Sequence, residues 1–369
     1  MAEKRMARKE ENMERLLIIN PGSTSTKIAV YDGEEQLFVE SITHTAEELA
    51  KYDALVDQFE FRKDLVIETM NKHGISVNDL TAIVARGGLL PPIKAGAYEV
   101  NEDMVWQLRY APAHEHASNL GALIAYAISS KEKIPAYIYD GVTVDEMLPI
   151  LKVTGLTFME REGRGHNLNM RAAAMRYAKE HGKAYKDCTL IVVHLGGGIS
   201  VSLHHDGKVA DIINDDEGAF APERSGGLPL FQVIDMMSSG KYDHKSAMKL
   251  VKTQGGLMAH LGTNDTRDVE KMIAEGDEHA KFIYEAMALS VARNIAKEAP
   301  VVNGKVEAIV LTGGIAYSEM FTKMVKERVE FIAPVVVYGG ENEMQSLALG
   351  GLRVLRGEEK ANTFVKVVK

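Results

Sequence analysis

One cysteine in 369 residues leaves no partner for an internal disulfide and no cysteine-rich metal site. Cys188 fits a reducing cytoplasm. No apolar run approaches about 18 residues, so no membrane span is indicated. Basic charge is also short: 43 Lys and Arg stand against 52 Asp and Glu, a formal net charge of −9. That balance argues against a broad nucleic-acid footprint. The opening stretch "MAEKRMARKEENMER" is charged and lacks the apolar centre of a signal peptide. It reads as a frayed or weakly helical extension, too short for a helix-turn-helix. There is no low-complexity segment and no long Pro- or Ser-rich linker. What is present is ordinary globular composition, 46 % apolar and 26 % charged, in a chain too long for one core and suited to two domains.

Short β-like runs alternate with helical ones, which implies α/β layers. The strand signals are 16–19, 26–31, 37–42, 82–85 and 136–139, then 190–194, 200–203, 208–212, 308–311 and 335–338. Helices are expected over 53–72, 116–129, 167–181, 230–239, 266–275, 278–298 and 343–356. Each set opens with three strands in hairpin sequence and then changes to strand–helix alternation.

The two sets share more than their order. "INPGSTSTKIAVYDG" (19–33) lies over "VHLGGGISVSLHHDG" (193–207) at a constant offset of 174. Gly22 then matches Gly196, Thr26 matches Ser200, and Asp32-Gly33 match Asp206-Gly207. Hairpin turns favour such residues anyway, but the gapless match reads as a duplicated domain. Neither glycine turn leads into a helix, as the dinucleotide and P-loop fingerprints require. Backbone N–H groups, hydroxyls and a lysine can instead hold phosphate oxygens in a hairpin. A third stretch, "IVLTGGIAYSEMF" (309–321), follows a strand and leads into a helix. Its Gly-Gly turn lets a flat ring approach the backbone.

Eight segments in order carry a resemblance: "INPGSTSTK", "VARGG", "APAHEHASN", "YDGVT", "REGRGH", "VVHLGGGIS", "APERSGG" and "LTGGIAYSEMF". The chain resembles the acetokinase family of carboxylate kinases, in the superfamily of sugar kinases, heat-shock chaperone ATPases and actin. In wording it is similar to the butyrate-kinase branch, from about residue 16 to about 356.

The resemblance implies an α/β fold of two duplicated actin-like ATPase domains of βββαβαβα type, with the active site in an interdomain cleft. The expected division is 1–155 plus 346–369, including a returning C-terminal helix, and 156–345. The implied reaction is reversible, ATP- and Mg2+-dependent phosphorylation of a short fatty acid to an acyl phosphate. Asn20, Ser23, Ser25 and Lys27 match the first phosphate loop, and His194 with Gly196, Gly197 and Gly198 the second. Gly313, Gly314 and Ile315 match the adenosine loop. Arg86, His114, Asp140, His166 and Arg224 match catalytic positions. Asn20 and an acidic residue of "GGENEMQ" belong on the metal side. Glu343 fits best there, and Glu341 stays open.

The chemistry suits those residues. A carboxylate acceptor is ionised at neutral pH, with a pKa of roughly 4, so no general base is needed. Phosphoryl transfer is helped by positioning and by neutralising oxygens. Arg86 and Arg224 supply fixed, permanently charged forks. His166 and His194 would donate to equatorial oxygens. Asp140 would hold an arginine or meet the magnesium shell.

Each residue also has a plainer reading. An Arg after an apolar strand is usually a surface ion pair, "AHEH" (113–116) a helix start, "LHHDG" (203–207) an exposed hairpin, and Lys27 a strand-edge residue. "GTNDTRDVEK" (262–271) reads as a helix start capped by Asn264 or Asp265. The Met- and Ala-rich helices 230–239 and 278–298 read as core or interface packing, hence a homo-oligomer.

One departure bears on the substrate. Acetate kinases carry Phe at the position of Gly165. Loss of that ring would enlarge an apolar pocket, worth about 0.8 kcal/mol per methylene buried, unless a neighbour refills the space. Four- or five-carbon acids are therefore expected over acetate. The competing functions are an acetate or propionate kinase and, from another class, an actin- or chaperone-like nucleotide switch. No nucleic acid and no membrane is expected as partner, only a small carboxylate, ATP or ADP, and further copies of the chain.

Overall fold

The structure, a computed structural model, describes residues 14–367, so most of the extension read over 1–15 lies outside the described residues. Packing gathers the chain into two compact units. Unit 1 takes the residues up to Val144 and those from Asn342 onward, and unit 2 is Asp145–Glu341.

Unit 1 is built on strands β1 (Arg15–Pro21), β2 (Ser25–Asp32), β3 (Glu35–Thr43), β4 (Ala82–Arg86), β5 (Ala97–Glu99) and β6 (Ala136–Tyr139). With Asn362–Thr363 they form a seven-stranded sheet in the order Asn362–Thr363, β5, β6, β4, β1, β2, β3. The apolar run Leu16–Ile19 is wholly buried, as a strand covered on both faces requires. Helices α1 (Phe59–Lys72), α2 (Glu102–Tyr110) and α3 (Asn119–Glu132) belong to this unit, as does the helix Glu343–Leu355. The last of these lies close enough for Gly350 and Gly351 to matter. A Cβ at Gly350 would stand 2.6 Å from the Tyr139 ring, and one at Gly351 2.5 Å from Val84.

Unit 2 repeats the central order. Strands β7 (Leu190–Leu195), β8 (Ile199–His205), β9 (Lys208–Ile213), β10 (Ala308–Gly313) and β11 (Val335–Gly339) run β11, β10, β7, β8, β9. In both sheets the first strand pairs antiparallel with the second and parallel with the fourth. The duplication expected from the sequence is therefore present in the topology. Its helices include α4 (Asn167–Glu180), α5 (Leu230–Ser238), α6 (His244–Thr253), α7 (Thr266–Ala274), α8 (Glu278–Glu298) and α9 (Glu319–Val329). Asp265, not Asn264, caps α7, its side chain accepting the Arg267 N–H.

Several expectations are corrected. The gapless offset hides a one-residue slip. Pro21 pairs Thr26, leaving the four residues Gly22–Ser25 as the first turn, whereas Leu195 pairs Ile199, leaving the three residues Gly196–Gly198. The helix expected from 53 begins at Phe59, after a 3-10 turn over Leu55–Gln58. That expected over 116–129 runs Asn119–Glu132 and ends with Lys133 in the left-handed region. The segment "LHHDG" is not an exposed hairpin: His204 is fully buried, between the Tyr185 hydroxyl at 2.7 Å and Ser202 Oγ at 2.9 Å. Helix α8 is a core helix, burying Tyr284, Met287, Val291 and Ile295. Helix α5 buries none of its residues.

Candidate active site

In unit 1 the three residues Asn20, Arg86 and Glu343, from distant parts of the sequence, meet. Asn20 closes β1 and Arg86 closes β4, neighbouring parallel strands. Glu343 opens the helix Glu343–Leu355, behind an Asn342 cap that accepts the Gln345 N–H. Asn20 Nδ2 donates to Glu343 Oε2 at 2.6 Å, and Arg86 Nη1 donates to Glu343 Oε1. The helix N-terminus favours a carboxylate at this point. Arg86 is thus an ion-pair residue, as its plainer reading held, and its partner is the expected metal-side acid. Lys27 lies opposite Asn20 across the β1–β2 pair and is exposed. Ser23 is exposed and Ser25 half-buried.

Asp140 follows β6, next to Arg86 in register through Tyr139. It is buried, with φ 42°, and its Oδ1 accepts the Gly96 N–H at 2.7 Å. A non-glycine residue held in this region is strained. His114 is exposed. The neighbouring His116 is the imidazole that feels Arg86: partial enclosure and then the Arg86 charge hold its pKa below the ordinary value. Its Nδ1 lies 2.8 Å from Ser118 Oγ.

Unit 2 gathers the remaining positions. The His166 and His194 rings stack at 3.9 Å, 10° from parallel. Asn169 Nδ2 donates to His194 Nδ1 at 2.8 Å, which leaves the proton on Nε2. That nitrogen lies 3.5 Å from Glu341 Oε2. His166 Nδ1 is 3.0 Å from Ser200 Oγ. Gly196–Gly198 bring the backbone against these groups. A Cβ at Gly196 would fall 2.7 Å from His194 Nε2, and one at Gly198 3.5 Å from Asp215 and 3.6 Å from His166. Arg224 is held by Asp215, Nε to Oδ2 at 2.9 Å, and by Glu223 at 3.3 Å. Glu341 and Glu343 therefore belong to different units, the former facing His194 and the latter Arg86 and Asn20.

The third glycine turn is fixed by backbone. Gly313 has φ 93°, and a Cβ there would stand 2.4 Å from the Leu195 carbonyl oxygen, so only glycine fits. Gly313 and Gly340 exchange N–H···O bonds of 3.1 and 2.8 Å. Gly314 is open on its Cβ side. The Ile315 side chain is buried in the core of unit 2, so only its backbone faces that turn. The exposed Tyr317 lays its ring against Gly339 and Gly340.

The enlarged pocket at Gly165 does not survive. A Cβ there would meet Ile212 Cδ1 at 2.6 Å and Ser200 Oγ at 3.1 Å. Ile212, itself buried, fills the space, and the glycine serves close packing.

Sequence reading missed Arg62, His44, Asn169, Asp215, His116 and Tyr317. Only Arg62 left a clear trace. It stands among Val66 and Met70 at helical spacing, a charge on an otherwise apolar face.

The comparisons agree with this layout. Residues 163–364 match the acetokinase family. The chain is 48 % identical over 354 residues to butyrate kinase 1 of Clostridium acetobutylicum, covering 95 % of this chain and all of that one. In fold it is similar to the Porphyromonas gingivalis acetate kinase, with a TM-score of 0.77 and 18 % identity, covering 93 % of this chain and 100 % of that one. A propionate kinase from Francisella tularensis subsp. tularensis gives 0.73 and 20 %, covering 92 % and 99 %. The chain belongs to the acetokinase family. Its class is that of the carboxylate kinases, phosphotransferases on an actin-like α/β fold.

Proposed function

We propose that this chain transfers the γ-phosphoryl group of ATP to the carboxylate of butyrate or a branched short-chain acid, reversibly. The observation that carries the reading is end-to-end identity of 48 % with butyrate kinase 1. A carboxylate oxygen attacks the γ-phosphorus while the bond to the bridging oxygen breaks. ADP leaves with that electron pair, and the acyl phosphate remains. No proton moves, which suits a site whose imidazoles are held by Asn169 and Ser200 rather than poised as bases.

In this reading the Gly22–Ser25 and Gly196–Gly198 turns hold phosphate oxygens, with Lys27 and His194 beside them. Gly313–Ile315 takes the adenosine. Arg86 and Arg224 steady the acceptor and the transferring group, and His166 donates to it. Asp140 fixes the backbone at Gly96, and His116, rather than His114, is the imidazole that senses Arg86. Asn20 and Glu343 offer hard oxygen donors. No group of three or more His, Cys, Asp or Glu that could hold a metal occurs among the described residues. A sparse oxygen set fits Mg2+, which keeps several waters and completes its shell with substrate phosphates. Bound there, the ion would neutralise phosphate charge.

Among the described residues no helix is long and apolar enough to cross a membrane. A cytoplasmic homo-oligomer, at least a dimer, is part of the same reading. It is supported by exposed Leu230, Phe231 and Ile234 on α5 and is measured by light scattering. Since Ile212 fills the space at Gly165, the preference for butyrate rests on the relative and not on that pocket. The test is acyl hydroxamate formation with ATP, magnesium and acids of two to six carbons. A maximum at four or five carbons is expected. A maximum at acetate or propionate would favour the shorter-chain kinases, and ATP hydrolysis without acyl phosphate would favour a nucleotide switch.

A further inference from the structure

Arg62, on α1, has no exposed surface. Its Nη1 donates to the carbonyl oxygens of Gly22 at 2.7 Å and Ser25 at 3.1 Å, and to Thr26 Oγ1 at 3.2 Å. Nη2 donates to the Ser23 carbonyl at 3.0 Å and to Gln58 Oε1 at 2.7 Å, and Nε reaches the same Gln58 oxygen at 3.2 Å. The remaining carbonyl of the turn, that of Thr24, accepts the His44 N–H at 2.9 Å. Three of the turn's four carbonyls are thereby drawn toward the buried guanidinium, and the fourth toward the backbone that follows β3.

A trans peptide carries its C=O and the following N–H on opposite edges of one plane. Among the described residues there is no cis bond. Holding the Gly22 and Ser23 oxygens inward turns the N–H groups of Ser23 and Thr24 the other way. Ser23 and Thr24 are exposed. A row of outward amides is an anion-binding nest.

The guanidinium adds charge as well as geometry. Each acceptor named above is neutral. A buried cation held by neutral oxygens is costly, and an anion nearby offsets that cost. The same burial pulls the Arg62 pKa down to about 10.

We propose that Arg62 is a positioning residue for the phosphate groups of the nucleotide. It pins three of the turn's carbonyls, sets the Ser23 and Thr24 amides outward, and places a fixed positive charge behind the bound anion. The inference rests on the reading that this turn holds phosphate. It adds a residue that touches neither substrate nor metal.

The test uses the full chain and ATP, with two variants. Gln58→Glu keeps shape and hydrogen bonds but gives Arg62 a counter-charge. It should fold with a Tm at or above that of the wild type and bind ATP about 5- to 10-fold more weakly by calorimetry. Arg62→Lys keeps the charge and loses the fork, and should raise the KM for ATP roughly tenfold while kcat changes less. A merely structural arginine would move Tm and leave that split absent. Gln58→Glu decides the matter if Arg62→Lys does not fold. Wild-type affinity in a folded Gln58→Glu protein overturns the proposal. A wild-type chain that binds no ATP overturns the functional reading and this inference together.

Discussion

The two glycine turns grow from the same strand order and are held in different ways. Gly22–Ser25 rests on a buried guanidinium behind its backbone, and its only close Cβ neighbour is Ser25, at 3.4 Å from Gly22. Gly196–Gly198 has a guanidinium beside it too, that of Arg224, but a partly exposed one that Asp215 and Glu223 hold. It is crowded by His194, His166, Asp215, Glu223 and Arg224. Duplication has kept the hairpins and changed what surrounds them. The first turn presents backbone amides, while the second lies against imidazoles and an arginine. Glycine is therefore a requirement of space at Gly196 and far less so at Gly22.

The sharpest break of this comparison is at the arginines. Arg224→Ala removes the side chain that Asp215 and Glu223 hold beside the second turn. Hydroxamate formation should fall on the order of a thousandfold in kcat/KM, within the range for arginines that stabilise phosphoryl transfer. Retention of a tenth of the activity would remove Arg224 from the reaction.

Next come two buried imidazoles, His44 in unit 1 and His204 in unit 2. Burial, with Arg62 as the smaller cause, holds His44 at about 4, and burial, with Arg171, holds His204 at about 3. Both are neutral in the folded chain and ordinary in the unfolded one. The unfolded state therefore takes up more protons as pH falls below about 6.5, and stability is lost in that direction. For His204 alone the loss between pH 7 and pH 5 is about 2 kcal/mol, roughly 30-fold in the folding constant. Urea unfolding at the two pH values should show it, and His204→Gln should flatten the difference. An equally steep loss in that variant would place the sensitivity elsewhere.

The smaller effects separate the two turns directly. At Gly196 a methyl group collides with the His194 ring, and Gly196→Ala should lower kcat about tenfold, the scale of a small misplacement near the chemistry. At Gly22 the nearest atoms stand at 3.4 and 3.5 Å. Gly22→Ala should stay within about twofold, because ordinary van der Waals contact demands no shift. Equal losses at both positions would erase the contrast.

Much of this molecule is legible in its sequence. The buried runs 16–19 and 190–194 and the hairpins after them are plain, because strands covered on both faces need unbroken apolar residues. Asn20, Arg86 and Glu343 could be singled out by motif, and the structure brings them into contact. Less could be read where tertiary packing overrides local pattern. Strands β5 and Asn362–Thr363 are two or three residues long, and their pairing is set by partners far along the chain. Helix α2 carries an Asn101 cap and buries Met104, Gln107 and Leu108, a stripe too narrow to stand out. The one-residue slip between the turns is invisible to an alignment without gaps. Ile212 against Gly165 shows the same limit: a missing ring in one segment is filled from another.

Glu343 has a consequence for the order in which the enzyme comes into being. It follows the whole of unit 2 in the chain, as do Gly350 and Gly351, which pack against Tyr139 of β6 and Val84 of β4. All of Asp145–Glu341 is synthesised before unit 1 receives its final helix. Arg86 must wait through more than half the chain's translation for its carboxylate, so a nascent polypeptide stalled before residue 343 holds strands β1–β11 but neither Glu343 nor the strand Asn362–Thr363.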